Sequence, residues 1–274
     1  YCSRRQRQMC IRDSNLTLYI ANDGEGFNSA VTVKTNNRIR TSLQTNDLER
    51  QVGQGVRIPL MEVRDLNNDG ANDLISRTEE KLDVFIADAL NSQPFASSPT
   101  YSIDITEIEE RLGEFDIDNL DFSNLTGVLA LTHEELLEDV DGDHIDDLLL
   151  REGGKVSLFR GTSAGMNLEE PLQVLRSGGN VLSTFLYDEN EDGLKDLWLW
   201  RVEPVSVGDI FLWLALSGNI AIEAFIYAND GERFARRPHR KLTVSIRFPS
   251  VIRLATSFQE LAREARDSQT EELT

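Results

Sequence analysis

The chain has 274 residues, with 47 Asp+Glu against 28 Lys+Arg for a net charge of -19, 40% hydrophobic residues and two cysteines. That is ample apolar material for a core, so global disorder and a disulfide-stapled miniprotein are excluded. The acidity excludes a nucleic-acid binder, whose phosphate contacts need clustered Lys and Arg, and favours cations as partners.

In chain order, the first fourteen residues, YCSRRQRQMCIRDS, carry both cysteines and four arginines. They show no strand or useful helix pattern and lack the apolar centre of a signal peptide. The string resembles a translated sequencing adaptor, and we expect a non-native tail over 1–14. LTLYIANDGEGF (Leu16 to Phe27) then alternates and ends in Asn-Asp-Gly, which predicts a strand closed by a turn. DITEIEERLGEF (Asp104 to Phe115) predicts a helix. The longest apolar run, Ile210 to Leu216, falls short of the roughly 20 residues of a membrane span and is expected in the core. SFQELAREA (Ser257 to Ala265) places Phe258, Leu261, Ala262 and Ala265 on one helical face.

A repeat organises what lies between. DLNNDGANDLISR (Asp65 to Arg77), DVDGDHIDDLLLR (Asp139 to Arg151) and DENEDGLKDLWLW (Asp188 to Trp200) align without gaps. Each has Asp at position 1, Asp or Asn at 3, Asp at 5 and Asp at 9, followed by Leu. Alternating apolar stretches flank every copy, so the reading is strand, tight acidic loop, strand. Loop starts lie 74 and then 49 residues apart, and the longer interval holds the helix near Asp104 as an insertion.

Of 23 aspartates, 11 fall in these three nine-residue windows. Such crowding of carboxylates is unfavourable unless a cation neutralises them. An oxygen-only donor set without His or Cys selects a hard ion, and Ca²⁺ tolerates the six to eight irregular ligands of a flexible loop better than Mg²⁺ does. An EF-hand is excluded, because position 12 is Ser76, Leu150 and Leu199 rather than Glu and the flanks alternate as strands.

These loops resemble the FG-GAP/VCBS repeat family, the calcium-loop blades of integrin-alpha-like head domains and of many bacterial envelope proteins. The resemblance implies an all-β fold, an incomplete β-propeller of three calcium-loop blades plus the end of a preceding one, with short helical insertions. The implied segments are a truncated blade (15–57), blades at 58–130, 131–180 and 181–255, and the helical start of a further unit (256–274). It also implies about three Ca²⁺ ions: one on Asp65, Asn67, Asp69, the Ala71 carbonyl and Asp73; one on Asp139, Asp141, Asp143, the Ile145 carbonyl and Asp147; one on Asp188, Asn190, Asp192, the Leu194 carbonyl and Asp196. One departure stands out. The family's glycine at position 6 is present as Gly70 and Gly193 but is His144 in the second loop, where a positive φ would be strained.

The remaining candidates are weaker. His133, His144 and His239 are scattered, and neither a Gly-x-Ser-x-Gly elbow nor a phosphate-binding glycine loop occurs. Trp198 and Trp200 are expected on one face, as packing rather than as a carbohydrate platform. The basic stretch RFARRPHRK (Arg233 to Lys241) is either a solvated turn or a contact for an acidic partner or anionic polymer. The expected function is an extracellular, periplasmic or cell-surface calcium-binding propeller scaffold for a protein or glycan ligand, with no nucleic acid and no transmembrane span. No catalytic residues are assigned; the alternative is a fragment of a calcium-dependent propeller lyase or hydrolase acting on polysaccharide.

Overall fold

The computed structural model describes residues 59–88 and 94–250, and before them a set of strand segments between residues 11 and 57. Those segments are β1 (Ile11–Arg12), β2 (Asn15–Leu18), β3 (Ala21–Asn22), β4 (Gly26–Phe27), β5 (Val31–Lys34), β6 (Arg38–Asn46) and β7 (Glu49–Arg57). β3 pairs with β4, and residues 23–25 between them, where the Asn-Asp-Gly turn is expected, lie outside the described residues. β1 pairs with β2 where the sequence was read as carrying no strand. Residues 1–10 and the amphipathic stretch at Ser257 to Ala265 lie outside the described residues.

Three four-stranded antiparallel sheets follow. The first comprises β8 (Leu60–Arg64), β9 (Asp73–Arg77), β10 (Lys81–Phe85) and β11 (Tyr101–Asp104), in the order β11-β10-β9-β8. The helix α1 (Ile105–Leu112) starts directly after it: Asp104 accepts from Glu107 N at 3.1 Å as the N-cap, and Ile105 and Ile108 are buried. A 3-10 helix (Leu125–Leu131) leads into the second sheet. That sheet contains β12 (His133–Glu138), β13 (Asp147–Glu152) and β14 (Lys155–Phe159). A small hairpin, β15 (Gly161–Thr162) with β16 (Gly165–Met166), precedes its edge strand β17 (Gln173–Arg176). The third has β18 (Asn180–Tyr187), β19 (Asp196–Val202), then α2 (Val207–Ala215), β20 (Gly218–Tyr227) and β21 (Arg240–Phe248).

Strand alternation explains the packing. In β13, Leu148 and Leu150 join an apolar cluster with Ile75, Leu82, Val84 and Ile103 of the first sheet. Leu149, one residue out of phase, joins Leu197, Leu199 and Tyr227 of the third. The second sheet is thus buried on both faces, which is why β13 reads as a continuous run, LLL. Each of its fully buried leucines contributes on the order of 1.5–3 kcal/mol.

The propeller expectation is not met, and with it falls the assignment to the FG-GAP/VCBS repeat family. The sheets are open, linear antiparallel pairings, and among the described residues none is closed or curled into a ring of blades. The physical reason is that strand-loop-strand repeats encode pairing between sequence neighbours. They carry no information on how successive sheets are disposed about an axis. The scaffold reading and the propeller-enzyme alternative both required that architecture, so both are withdrawn.

A second correction concerns Ile210 to Leu216, expected as core. It forms the body and end of α2, begun by a capping box between Ser206 and Asp209, and leaves Phe211 67% and Leu212 58% exposed. Apolar composition without an amphipathic period did not identify a buried face. The expected pairing of Trp198 and Trp200 on one face is present: Phe185 stacks on both, at centroid distances of 5.4 and 6.4 Å.

Candidate metal centre

Each acidic loop joins the first two strands of a sheet, β8 to β9, β12 to β13 and β18 to β19. The three share one internal hydrogen-bonding scheme. The position-9 carboxylate is buried (Asp73 0%, Asp147 3% and Asp196 0% exposed) because it opens the central strand. Its Oδ2 accepts from the position-2 amide: Leu66 N at 2.8 Å, Val140 N at 3.2 Å and Glu189 N at 3.3 Å. Its Oδ1 accepts from the second residue past the third strand: Ala87 N at 2.7 Å, Gly161 N at 2.8 Å and Asn229 N at 2.9 Å.

Position 1 turns the loop back on itself. Asp65 accepts from Gly70 N at 2.9 Å, Asp139 from His144 N at 3.0 Å and Asp188 from Gly193 N at 2.9 Å. Position 5 accepts from position 7, with Ala71, Ile145 and Leu194 each donating at 2.8 Å to Asp69, Asp143 and Asp192. The backbone enters the left-handed region at positions 4 and 6 of every loop: Asn68 and Gly70, Gly142 and His144, Glu191 and Gly193. His144 takes the expected strained conformation, with φ 68°.

In the second loop, carboxylate oxygens of Asp139, Asp141 and Asp147 all lie within 4.8 Å of one another. Oxygens bound to one Ca²⁺ at roughly 2.3–2.6 Å can be separated by at most about twice that distance, so these three fit a single hard cation. Asp143 is outside the group. In the first and third loops Asn67 and Asn190 replace the acid at position 3, and no three carboxylates converge there among the described residues. Instead each Asn side chain donates to the position-5 carboxylate, Asn67 to Asp69 at 3.1 Å and Asn190 to Asp192 at 2.8 Å.

The electrostatics of the second loop favour a cation. Burial pushes the Asp147 carboxyl up to about 6, against the hydrogen bond from Gly161 and with the help of Asp141. Burial also raises Asp141 and the adjacent Asp146. Some compensation comes from arginines that the repeat pattern did not single out. Arg160 pairs with Asp141 at 2.6 Å, and Arg64 of the preceding sheet pairs with Asp146. Arg160 follows Phe159 where the other copies have Ile86 and Ala228, so one charged residue in an apolar column was its signal.

The loops also join the sheets. Leu66 O accepts from Asp146 N at 2.7 Å, and Val140 O accepts from Asn229 Nδ2 at 2.6 Å. The position-2 residue of one loop is thereby tied to the next sheet, in two successive junctions. No feature of the carboxylate pattern pointed to these contacts.

No protein-family model matches the chain, and no curated protein does. A solved chain from an Agrocybe aegerita lectin, described for specific recognition of non-reducing terminal N-acetylglucosamine, is similar at 12% identity and a TM-score of 0.32. The similarity covers 86% of this chain and 65% of that one, so the chain spans less than two thirds of its length. No described helix is long and apolar enough to cross a membrane.

Proposed function

We propose that this is a calcium-stabilised β protein in which the acidic loops hold structural ions. The observation that carries the reading is the convergence of Asp139, Asp141 and Asp147 within 4.8 Å. In this reading Asp143 and the Ile145 carbonyl complete the shell, by local rotation or through water. Asp65, Asn67, Asp69, Asp73 and the Ala71 carbonyl form a second site, and Asp188, Asn190, Asp192, Asp196 and the Leu194 carbonyl a third. The hydrogen-bonding scheme common to the three loops supports extending it from one loop to all. Ca²⁺ is favoured because the donors are all oxygen and the loops are irregular.

The role assigned to the ion is structural. Bound between two strands at a junction of sheets, it adds its binding free energy to folding and relieves the repulsion among the carboxylates. Sites of this charge resemble those that hold Ca²⁺ at roughly 10⁻⁴–10⁻³ M, which supports an extracellular, periplasmic or cell-surface setting as part of this proposal. The test is a thermal melt in EDTA followed by Ca²⁺ titration, with calorimetry on the wild type and on Asp139→Asn/Asp141→Asn. We expect Ca²⁺ to raise the Tm and the double variant to lose one binding event. A melt indifferent to EDTA and Ca²⁺ would refute the reading, and unchanged stoichiometry would refute the second-loop site.

A further inference from the structure

Residues 233–247 carry six Lys and Arg and no carboxylate, in a chain whose net charge is -19. The first part of that stretch faces the free edge of the second sheet. Between them lies an open cleft of about 830 Å³, lined among others by Lys155, Gln173, Arg176, Asp230, Arg233 and Arg236. Four of these six are cationic. Lys155 is neutralised by Glu152 at 2.7 Å, and Asp230 is occupied by the backbone amides of Glu232 and Arg233 at 3.0 and 2.7 Å. Arg176, Arg233 and Arg236 are exposed, and none of them has a carboxylate within 4.0 Å among the described residues.

One wall of the cleft is β17, which among the described residues is the outermost strand of its sheet and pairs only with β14. Val174 in its middle is 41% exposed. One end is fixed by Gln173, whose side-chain amide donates to Phe234 O at 2.7 Å and accepts from Phe234 N at 2.9 Å. Among the described residues the cleft therefore combines an unpaired strand edge, an apolar spot and three exposed arginines with no carboxylate within 4.0 Å. The backbone amides of Arg233 and Glu232, and to a lesser degree the nearby Arg233 charge, hold the Asp230 carboxyl below its usual range. An extended chain laid along β17 would gain backbone hydrogen bonds from the edge, and alternate acidic side chains would meet the arginines.

We propose that this cleft binds an extended acidic peptide segment, added antiparallel or parallel to β17 as a fifth strand. An anionic polysaccharide would satisfy the arginines but has no row of amides to pair with the strand, so the free edge favours a peptide. The volume is within the range of roughly 300–1,000 Å³ typical of ligand sites and accommodates a few residues.

The test uses the full chain in Ca²⁺-containing buffer and a fluorescein-labelled peptide of alternating Glu and Val, about eight residues long, read by fluorescence polarisation. Expected is saturable binding that weakens as salt is raised and falls about tenfold or more in Arg233→Ala/Arg236→Ala. The same peptide N-methylated on alternate residues should also bind about tenfold more weakly. Equal binding of the N-methylated peptide, or of an oligouronate of matched charge, would overturn strand addition. Binding unchanged in the double arginine variant, or absent altogether, would overturn the cleft. Both arginines are exposed, so the variants are expected to melt as the wild type does in the presence and absence of EDTA, which separates this outcome from a failure of the calcium reading.

Discussion

The amide of Gly161 donates to Asp147 Oδ1 at 2.8 Å, linking the second residue past β14 to the first residue of β13. The same link joins Ala87 to Asp73, also fourteen residues away, and Asn229 to Asp196, thirty-three away because α2 is inserted between the strands. The contact is thus kept while the connection between its partners more than doubles. In the second sheet it permits no side chain at its donor. A Cβ at Gly161 would come within 2.1 Å of Asp146 O. Gly161→Ala is therefore expected to destabilise the protein by about 1–3 kcal/mol and to weaken Ca²⁺ binding, because backbone displacement reaches Asp147. Urea melts with and without Ca²⁺ measure both effects; a neutral substitution would show that the contact is dispensable.

His144 has φ 68°, while the corresponding residues Gly70 and Gly193 adopt φ 84° and 90° without a side chain to strain. The left-handed conformation costs a non-glycine residue about 1–2 kcal/mol. Extra freedom of glycine in the unfolded chain takes back about 0.4–1 kcal/mol. His144→Gly should accordingly raise stability by roughly 0.5–1 kcal/mol, visible as a higher urea midpoint with an unchanged slope. The His144 ring lies 3.6 Å from Asp139 and its side chain is 77% exposed, so little is lost with it.

The strand-loop-strand units were legible because their signals are local: alternation, the Asp spacing, and a Leu after each final Asp that becomes a core residue. The helix at Ile105–Leu112 was legible for the same reason, since Asp104 caps it in sequence. The arrangement of the sheets was not, because contacts such as Leu66 with Asp146 depend on tertiary placement and involve backbone groups that any residue carries. Within the site, the carboxylates were found from their spacing, and the structure brings three of them together. Arg160 and Asn229 were not linked to the acidic loops because they lie past the third strand of their sheets, far from the loop in sequence.

Arg151 is 2% exposed and at the centre of a polar junction. Its Nε meets Glu134 at 3.0 Å, and its Nη1 donates to Thr132 O and Gly153 O, both at 3.2 Å. Glu134 in turn accepts from Ser183 Oγ at 3.1 Å and Thr184 N at 2.9 Å in the third sheet. Removing the buried guanidinium strands a carboxylate and two carbonyls. Arg151→Met should cost about 2–4 kcal/mol, moderated because Glu134 is partly exposed. A double-mutant cycle with Glu134→Gln should show a favourable coupling energy between the two residues, and additive losses would mean that the pair does not act as a unit.

The pH dependence of the metal-free protein follows from Asp147. Its folded-state value of about 6 stands above the ordinary 3.8, so the folded protein holds this proton more tightly than the unfolded chain does. The resulting stabilisation is complete below about pH 4 and is lost as pH rises to about 6; above that, the buried charge costs on the order of 3 kcal/mol relative to acid conditions. Burial raises Asp73, Asp141 and Asp146 in the same direction. Asp104, Asp121, Asp209 and Asp230 are lowered by hydrogen bonds to their charged forms and act with the opposite sign, but only below their ordinary range. Between pH 4.5 and 6 in EDTA, stability from urea unfolding should therefore fall. With saturating Ca²⁺ the sign should reverse, since the ion binds the deprotonated carboxylate and its affinity grows as Asp147 ionises, with proton release on binding. A metal-free stability that climbs across this interval would show that the buried carboxylate is not protonated as its surroundings require.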